Sequence, residues 1–273
     1  NSSARREVMQ MIFIGCHLHS SFKNKQVFER LIDASTEVPR FLKVTLTLEV
    51  MYSASLIGMF IFRCIQLDTY FGIWNTAVIV VLNHISFQLT LLFTLFAYNI
   101  VKSHEDLTLK MSHVQDFSSI GTFLDDHYTS MKLFEDLNAV FNRSLIFMYG
   151  DIFVSLSFYS YYMTTLQAEG EDAFLSYLLN MLLMTGRFTM LFTTSFTAER
   201  IMASATRFNK EIFTLMKDNQ ELREHRILQL YINCPKTVKF SACGFFTLGN
   251  GVVTEMATAV VTYLVALVQL SGG

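Results

Sequence analysis

The stretch SACGFFTLGNGVVTEMATAVVTYLVALVQL, residues 241–270, decides the fold of this chain. Its last part, Gly251 to Leu270, is apolar and about twenty residues long, and at about 1.5 Å of rise per residue it extends roughly 30 Å, the thickness of the hydrocarbon core of a bilayer. A segment of this length and composition predicts a membrane-spanning helix, which we assign to residues 241–270.

One stripe of this predicted helix is polar or small. Its members recur at steps of three or four residues, which places them on one helical face: Glu255, Thr258, Thr262, Ala266 and Gln269, with Val265 at the edge. An unpaired polar group in hydrocarbon is costly, so the stripe needs water or a polar partner opposite it. Copies of the helix around one axis would line a pore. The same stripe is also typical of close helix packing, with Thr hydroxyls bonded to carbonyls of their own helix.

Three short motifs carry a resemblance to a known family. TYLVALVQL at residues 262–270 resembles the T-Y-(five apolar)-Q-F ending of insect gustatory receptors, and ACGFFTL at residues 242–248 resembles the sequence that leads into their last helix. LNAVFNRSLIF, Leu137 to Phe147, looks like the segment entering that family's fifth helix, so the likeness covers at least the C-terminal half. Leu270 stands where the family usually has Phe, a difference that bears on the outer gate.

The resemblance implies a function and an assembly. Members of this family are seven-helix chemoreceptor ion channels, so we expect a ligand-gated, non-selective cation channel that a small extracellular tastant opens. Four copies, as a homotetramer or in a hetero-oligomer with related receptors, would place the last helix around one pore. In the closed state Val265, Gln269 and Leu270 would narrow its outer mouth. Sugars and bitter compounds are both ligands within the family, and the motifs do not choose between them.

Composition indicates a polytopic membrane protein. Of the 273 residues 52% are apolar and 16% are charged, with a mean hydropathy of +0.36, whereas soluble domains carry about 25% charged residues. No basic cluster interleaved with aromatics suggests nucleic acid. Four scattered cysteines without C-x-x-C spacing predict neither a disulfide framework nor a metal site. No nucleophile elbow, HExxH, P-loop or carboxylate pair supports catalysis, so we expect no enzyme activity, catalytic residue or cofactor.

Apolar runs divide the chain into the spans and cytoplasmic segments of an all-α transmembrane bundle. The first four predicted spans are about 42–65, 74–101, 142–166 and 173–198. The chain thus contains a cytoplasmic amphipathic helix at 1–41, two spans within 42–101, cytoplasmic helices at 102–141, two spans within 142–198, cytoplasmic anchor helices at 199–240 and the pore-lining helix at 241–270. Since the resembled family has seven helices, its first two are expected to be absent from this fragment.

Basic residues predict the orientation. The linkers at 66–73 and 166–172 and the tail at 271–273 contain no Lys or Arg. The last segment between spans is crowded with them, at Arg200, Arg207, Lys210, Lys217, Arg223, Arg226, Lys236 and Lys239. By the positive-inside rule the long segments are cytoplasmic and the C-terminus is extracellular, the reverse of a rhodopsin-like receptor. We therefore expect a multi-pass protein of the plasma membrane, in contact with lipid.

The outer halves of the spans supply candidate walls for a ligand pocket. Aromatic faces with a few hydrogen-bonding groups suit a sugar or an alkaloid, because both stack and both need orienting polar contacts. The candidates are Trp74, Asn83, His84, Gln88, Tyr159, Tyr162, Tyr177, Asn180 and Met184. Their mixture of Trp, Tyr, Asn, His and Gln favours a sugar. A run of Tyr and Phe at the outer end of a span is also typical of an interface belt.

Five ionisable residues lie within predicted spans: Glu49, Arg63, Asp151, Arg187 and Glu255. Charges at membrane depth usually face a bundle interior, a cavity or a partner. Arg63 is close enough to the outer end of its span to snorkel. Arg187 lies near mid-span, with Asp151 or Glu49 as its partner by depth, and a structural ion pair and a ligand contact are both open. Glu255 on the stripe would raise the local cation concentration.

Two further classes of protein fit a polytopic helical chain. Secondary transporters usually show internal repeats and helices interrupted near mid-membrane by Gly or Pro, and this chain has two prolines, both in predicted cytoplasmic segments. A membrane scaffold that uses its cytoplasmic helices only for assembly would leave the polar stripe of the last helix unexplained. The sequence therefore favours the channel over both.

Overall fold

A computed structural model of the chain describes residues 70–112, 120–165, 171–233 and 238–271, with single helical positions at 47, 57, 58 and 61. The helices in these ranges are α1 (Tyr70–Ser112), α2 (Ile120–Thr165), α3 (Glu171–Asp218), α4 (Gln220–Glu224), α5 (Arg226–Asn233) and α6 (Asn250–Ser271). A small hairpin of β1 (Ser241–Ala242) and β2 (Phe246–Thr247) precedes α6. The predicted all-α helical bundle is confirmed.

The three longest helices extend well beyond the thickness of a membrane. They contain 43, 46 and 48 residues. At about 1.5 Å per residue each is roughly 65–70 Å long, more than twice the hydrocarbon core of a bilayer. The backbone runs through residues 101, 142 and 198 without a break, so the sequence's division into spans and cytoplasmic segments falls inside continuous helices. The predicted spans within these three helices are therefore each joined to a neighbouring polar segment by unbroken helix.

Three of the described helices contain segments long and apolar enough to cross a bilayer, His84–Ser112, Ile120–Thr164 and Asn250–Leu270. The predicted span at 173–198 is helical within α3, but the described part of that helix is less apolar, with Asn180 and Arg187 among its side chains. A span there stays a prediction. The segments 1–41 and 42–65 lie outside the described residues, apart from the four single positions already given.

Aromatic rings join the central helices to the approach to α6. The helices α1, α2 and α3 pack against one another, and α6 packs against α2 and α3. Phe93 of α1 meets Phe141 of α2 edge-on with ring centroids 5.6 Å apart, and it meets Phe240 in the same way at 6.0 Å. All three rings are buried. Edge-to-face pairs contribute about 0.5–1.5 kcal/mol beyond burial, so the segment before α6 belongs to the core.

The nine residues before α6 are not helical, which corrects the assignment of 241–270 to one helix. Ser241 pairs with Thr247 and Ala242 with Phe246 in an antiparallel hairpin. Its turn places Cys243 at φ 50° and Gly244 at φ 78°, and the Phe245 N–H donates to the Ala242 carbonyl at 3.0 Å. Two successive left-handed residues cannot belong to an α-helix. The prediction failed because apolar content alone does not separate a short hairpin from a helix.

Candidate functional site

The stripe of α6 faces away from the rest of the chain. Val260, on the opposite side of the helix, and Val252, beside the stripe, are buried against the bundle. The stripe residues are all exposed: Glu255, Thr258, Thr262, Val265, Ala266 and Gln269. Leu270, at the end of the helix, is 81% exposed. A single chain therefore leaves the whole polar line of an apolar helix uncovered.

The threonines of the stripe use their hydroxyl protons within their own helix. Thr258 donates to the Thr254 carbonyl at 2.9 Å, and Thr262 donates to the Thr258 carbonyl at 2.8 Å. The proton of each hydroxyl is thereby satisfied, while its oxygen keeps acceptor capacity toward the exposed side. Together with the Glu255 carboxylate and the Gln269 amide, the stripe presents mainly oxygen acceptors.

Two of the charged residues in the predicted spans, Asp151 and Arg187, meet in the structure. Arg187 of α3 is 2% exposed and its guanidinium forms an ion pair with Asp151 of α2, whose side chain is 34% exposed. Ser86 of α1 and Ser155 of α2 donate hydroxyls to the same carboxylate at 3.4 and 3.5 Å. Of the two partners expected for Arg187, the structure selects Asp151, while Glu49 and Arg63 lie outside the described residues. The pair joins α1, α2 and α3.

The candidate ligand residues differ in exposure. Tyr159 and Asn180 are buried, and Tyr162, Tyr177 and Met184 are half-buried. Met184 packs against the main core. The structure thus places these five side chains within or beside the protein interior, on α2 and α3. This distribution is compatible with a pocket and with helix packing.

The candidates on α1 lie nearer the surface. His84 is exposed and lies within 3.5 Å of the half-buried Gln88 side chain, so the two share a helical face. Trp74 and Asn83 belong to α1, but their side chains are outside the described residues. In the described part of the chain, an apolar cleft lies instead at the other end of the helices. Its lining is Met111, Ile120, Ile212, Leu215, Met216, Leu222 and Leu228.

A hydrogen-bonded series of buried and half-buried polar groups crosses the bundle at that far end, and the sequence analysis did not predict it. Ser204 lies 2.8 Å from His104 Nδ1, His104 Nε2 lies 2.8 Å from His127 Nδ1, and His127 Nε2 lies 2.6 Å from the Tyr231 hydroxyl. The Tyr231 hydroxyl donates to Asn209 Oδ1 at 2.6 Å. These groups belong to α1, α2, α3 and α5, so one hydrogen-bonded series ties four helices together.

The donors in this series run in one direction. Because the Tyr231 proton goes to Asn209, its oxygen accepts from His127 Nε2–H. When His127 is neutral, its Nδ1 accepts from His104 Nε2–H, and His104 Nδ1 then accepts from Ser204. Burial raises the pKa of Tyr231, which keeps its phenol protonated. The signal was present in the sequence, since His127 continues the apolar spacing of its own helix, at Leu124, Met131 and Phe134.

Comparison with known proteins shows the family to which this chain belongs. A family model described as 7tm Chemosensory receptor matches residues 17–271. The chain belongs to this chemosensory receptor family. No curated protein sequence matches it significantly. Among solved structures, it is similar to the insect olfactory receptor OR5 from Machilis hrabei in complex with eugenol, at 14% identity over 95% of this chain and 78% of that one, with a TM-score of 0.68.

A second structure of the same receptor matches at 15% identity over 95% of this chain and 76% of that one, with a TM-score of 0.63. At this identity the likeness shows the shared helical fold. Membership in the family confirms the resemblance to insect chemoreceptors and places the chain among multi-pass membrane receptors rather than in an enzyme class. Among the described residues of this family member, no group of three His, Cys, Asp or Glu side chains could hold a metal ion.

Proposed function

We propose that this chemosensory receptor is the subunit of a ligand-gated, non-selective cation channel, and that it acts in taste. The observation that carries the proposal is the uncovered polar stripe of α6. In hydrocarbon its carboxylate and amide would lose their hydrogen bonds to water, which costs several kcal/mol for each group. Copies of α6 around a shared aqueous path remove that cost. We therefore propose an oligomer of four subunits, either of this chain alone or with related receptors.

The chemistry of the stripe supports cations as the permeating ions. Its polar atoms are mainly acceptor oxygens, and Glu255 adds a negative charge on the inner half of the helix. Rings of acidic side chains and of oxygens attract cations in channels. At the outer end, Val265, Gln269 and Leu270 would form the closed constriction, which excludes ions because it offers no charge to replace their hydration. Ligand binding would shift the population toward a wider arrangement.

Taste is proposed because the two C-terminal motifs resemble those of insect gustatory receptors. The solved relative was described in complex with eugenol, which supports a small organic molecule as the ligand class. The buried and half-buried Tyr159, Tyr177 and Asn180 combine rings with hydrogen-bonding groups, which suits a sugar. A bitter compound is the alternative within taste, and an odorant is the alternative outside it.

The proposed receptor lies in the plasma membrane with its C-terminus outside. This orientation rests on the basic residues of 199–240 and on the absence of Lys and Arg from 166–172 and 271–273. A tag at the C-terminus would then be labelled on intact cells, whereas a tag inserted near residue 219 would need permeabilised cells. The reverse pattern would exclude this topology.

Whole-cell recording from cells that express the receptor tests the proposal. We expect an inward cation current on application of one member of a panel of sugars, alkaloids and odorants. Gln269→Ala should alter the current, whereas Gln220→Ala, an exposed amide on α4, should leave it unchanged. Saturable uptake without conductance would instead indicate a transporter. Stable surface expression with neither current nor uptake across the panel would favour a scaffold.

A further inference from the structure

The hairpin that leads into α6 is held at both ends by side chains of the long helices. At its start, the Ser241 N–H donates to Asn138 Oδ1 of α2 at 3.2 Å. At its end, the Asn250 N–H donates to Glu199 Oε2 of α3 at 3.2 Å. Between these contacts Leu248 is fully buried, and its N–H donates to the Phe240 carbonyl at 2.7 Å. The beginning of α6 is therefore positioned by the bundle itself.

Glu199 is chemically matched to the first turn of α6. The first N–H groups of a helix have no partner within it, and the helix dipole places partial positive charge there. A carboxylate supplies a strong acceptor and a compensating charge. Gly249 makes room for it, since a Cβ at that position would lie 2.8 Å from Glu199 Oε2 and 3.3 Å from Met202 Cε. A glycine therefore lets the carboxylate reach the helix start.

The same part of α3 is connected to α1. Arg200, the next residue, forms an ion pair with Glu105 at 3.3 Å, and its guanidinium lies 5.7 Å from the centre of the Tyr98 ring. Toward its other end α3 carries the candidate ligand residues Tyr177 and Asn180. A single continuous helix thus extends from the proposed ligand site to the contact at the start of the proposed pore helix.

We propose that Glu199 is a positioning residue for gating, which couples α3 to the first turn of α6. The inference rests on the proposed channel function. Movement of α3 on ligand binding would reach α6 through the bond from Glu199 to Asn250. Glu199 touches neither the proposed ligand nor the permeating ions. Its loss should therefore weaken the response to ligand without changing the properties of the open pore.

Dose-response recordings on the full chain test this coupling. Glu199→Ala should raise the half-maximal tastant concentration about three- to tenfold, in keeping with the loss of one charge-assisted contact at a helix start. Single-channel conductance and ion selectivity should stay unchanged. Glu199→Gln keeps an acceptor oxygen but loses the charge, and it should give a smaller shift than Glu199→Ala. Glu211→Ala, about 18 Å further along α3, is the matched control and should have no effect.

A double-mutant cycle with Gly249 separates this contact from a general loss of structure. Gly249→Ala alone should impair the response, because its Cβ displaces the Glu199 carboxylate. In the Glu199→Ala background the same change should have a smaller effect, because the obstructing carboxylate is gone and only the backbone strain at φ 159° and the contact with Met202 remain. Equal, additive effects of Gly249→Ala in both backgrounds would overturn the proposal.

Hydrogen exchange supplies a readout that does not depend on conduction. In purified protein, Glu199→Ala should speed amide exchange in the segment 248–254, and Glu199→Gln should speed it less. Unchanged exchange and an unchanged dose-response curve in Glu199→Ala would each overturn the coupling role. If the parent protein conducts no current, the channel proposal itself fails, whereas a conducting parent with an unaffected Glu199→Ala variant removes only this inference.

Discussion

The polar stripe of α6 and the hydrogen-bonded series from Ser204 to Asn209 differ in where their polar groups find partners. In the hydrogen-bonded series, His104, His127 and Tyr231 bond to side chains on other helices of the same molecule. On α6, the hydroxyls of Thr258 and Thr262 turn back to their own helix and the stripe stays uncovered. Polar groups that are paired within one polypeptide stabilise its fold. An uncovered polar line on an apolar helix requires something outside the chain.

The ion pair of Arg187 with Asp151 resembles the hydrogen-bonded series, because its groups are paired within the same polypeptide. It brings two charges from different helices together at the depth where the sequence left a ligand contact open. The comparison predicts that substitutions in paired groups lower stability, whereas substitutions on the stripe alter conduction and leave stability almost unchanged.

The largest effect is expected at the ion pair. Asp151→Ala leaves the buried Arg187 guanidinium without its counter-charge and should lower the free energy of unfolding by about 3–5 kcal/mol. Arg187→Met should cost less, because the Asp151 side chain left behind is 34% exposed and reaches water. Thermal unfolding of the purified protein in detergent measures both. A double variant, Asp151→Ala with Arg187→Met, should recover much of the loss, and a double variant less stable than Asp151→Ala would contradict this account.

The next largest effect is expected in the hydrogen-bonded series from Ser204 to Asn209. Tyr231→Phe leaves the His127 Nε2–H and the Asn209 carbonyl oxygen without their partner and should cost about 1–3 kcal/mol of stability. Thr214→Ala, at an exposed position of α3, should stay within about 0.5 kcal/mol of the parent protein. The open-channel conductance of Tyr231→Phe should be normal. A Tyr231→Phe variant that is as stable as the parent protein but has altered conductance would contradict the proposed difference between the hydrogen-bonded series and the stripe of α6.

A matched pair of threonines tests the contrast with one chemical change. Thr194 and Thr262 each donate to the carbonyl four residues earlier, but Thr194 is buried and also lies 2.9 Å from the Tyr149 hydroxyl. Thr194→Val should therefore destabilise the protein by about 1 kcal/mol. Thr262→Val should change stability by less than about 0.5 kcal/mol and lower single-channel conductance. The same unfolding assay and single-channel recordings compare them, and equal stability losses would show that α6 is covered by protein.

The smallest effect is expected for the charge of the stripe. Glu255→Gln should lower cation conductance about twofold at low ionic strength, because the local attraction for cations is lost. The difference should shrink as salt screens the carboxylate. Recordings at two ionic strengths measure it, with Glu221→Gln on α4 as the control. A reduction that does not depend on salt would indicate a packing role for Glu255.

Part of this molecule could be predicted from single segments. The last helix, its stripe and the helical continuity of the long segments follow from composition and from spacing at three or four residues. The hairpin at 241–247 could not be predicted, because a short apolar run is equally typical of a strand and of a helix. The direction of Phe93 toward Phe240 likewise depends on how three segments pack.

The sequence by itself determined that α6 is long and apolar enough to cross a membrane and that it carries a polar line, since length, composition and period are properties of one segment. Only the tertiary structure decided which polar residues are paired within the chain. Asp151 meets Arg187, His104 meets His127, and Glu199 meets the start of α6, all across large separations in the chain. Hydrogen bonds and ion pairs act over about 3–4 Å, so their partners are set by packing, which the spacing of residues along one segment does not encode.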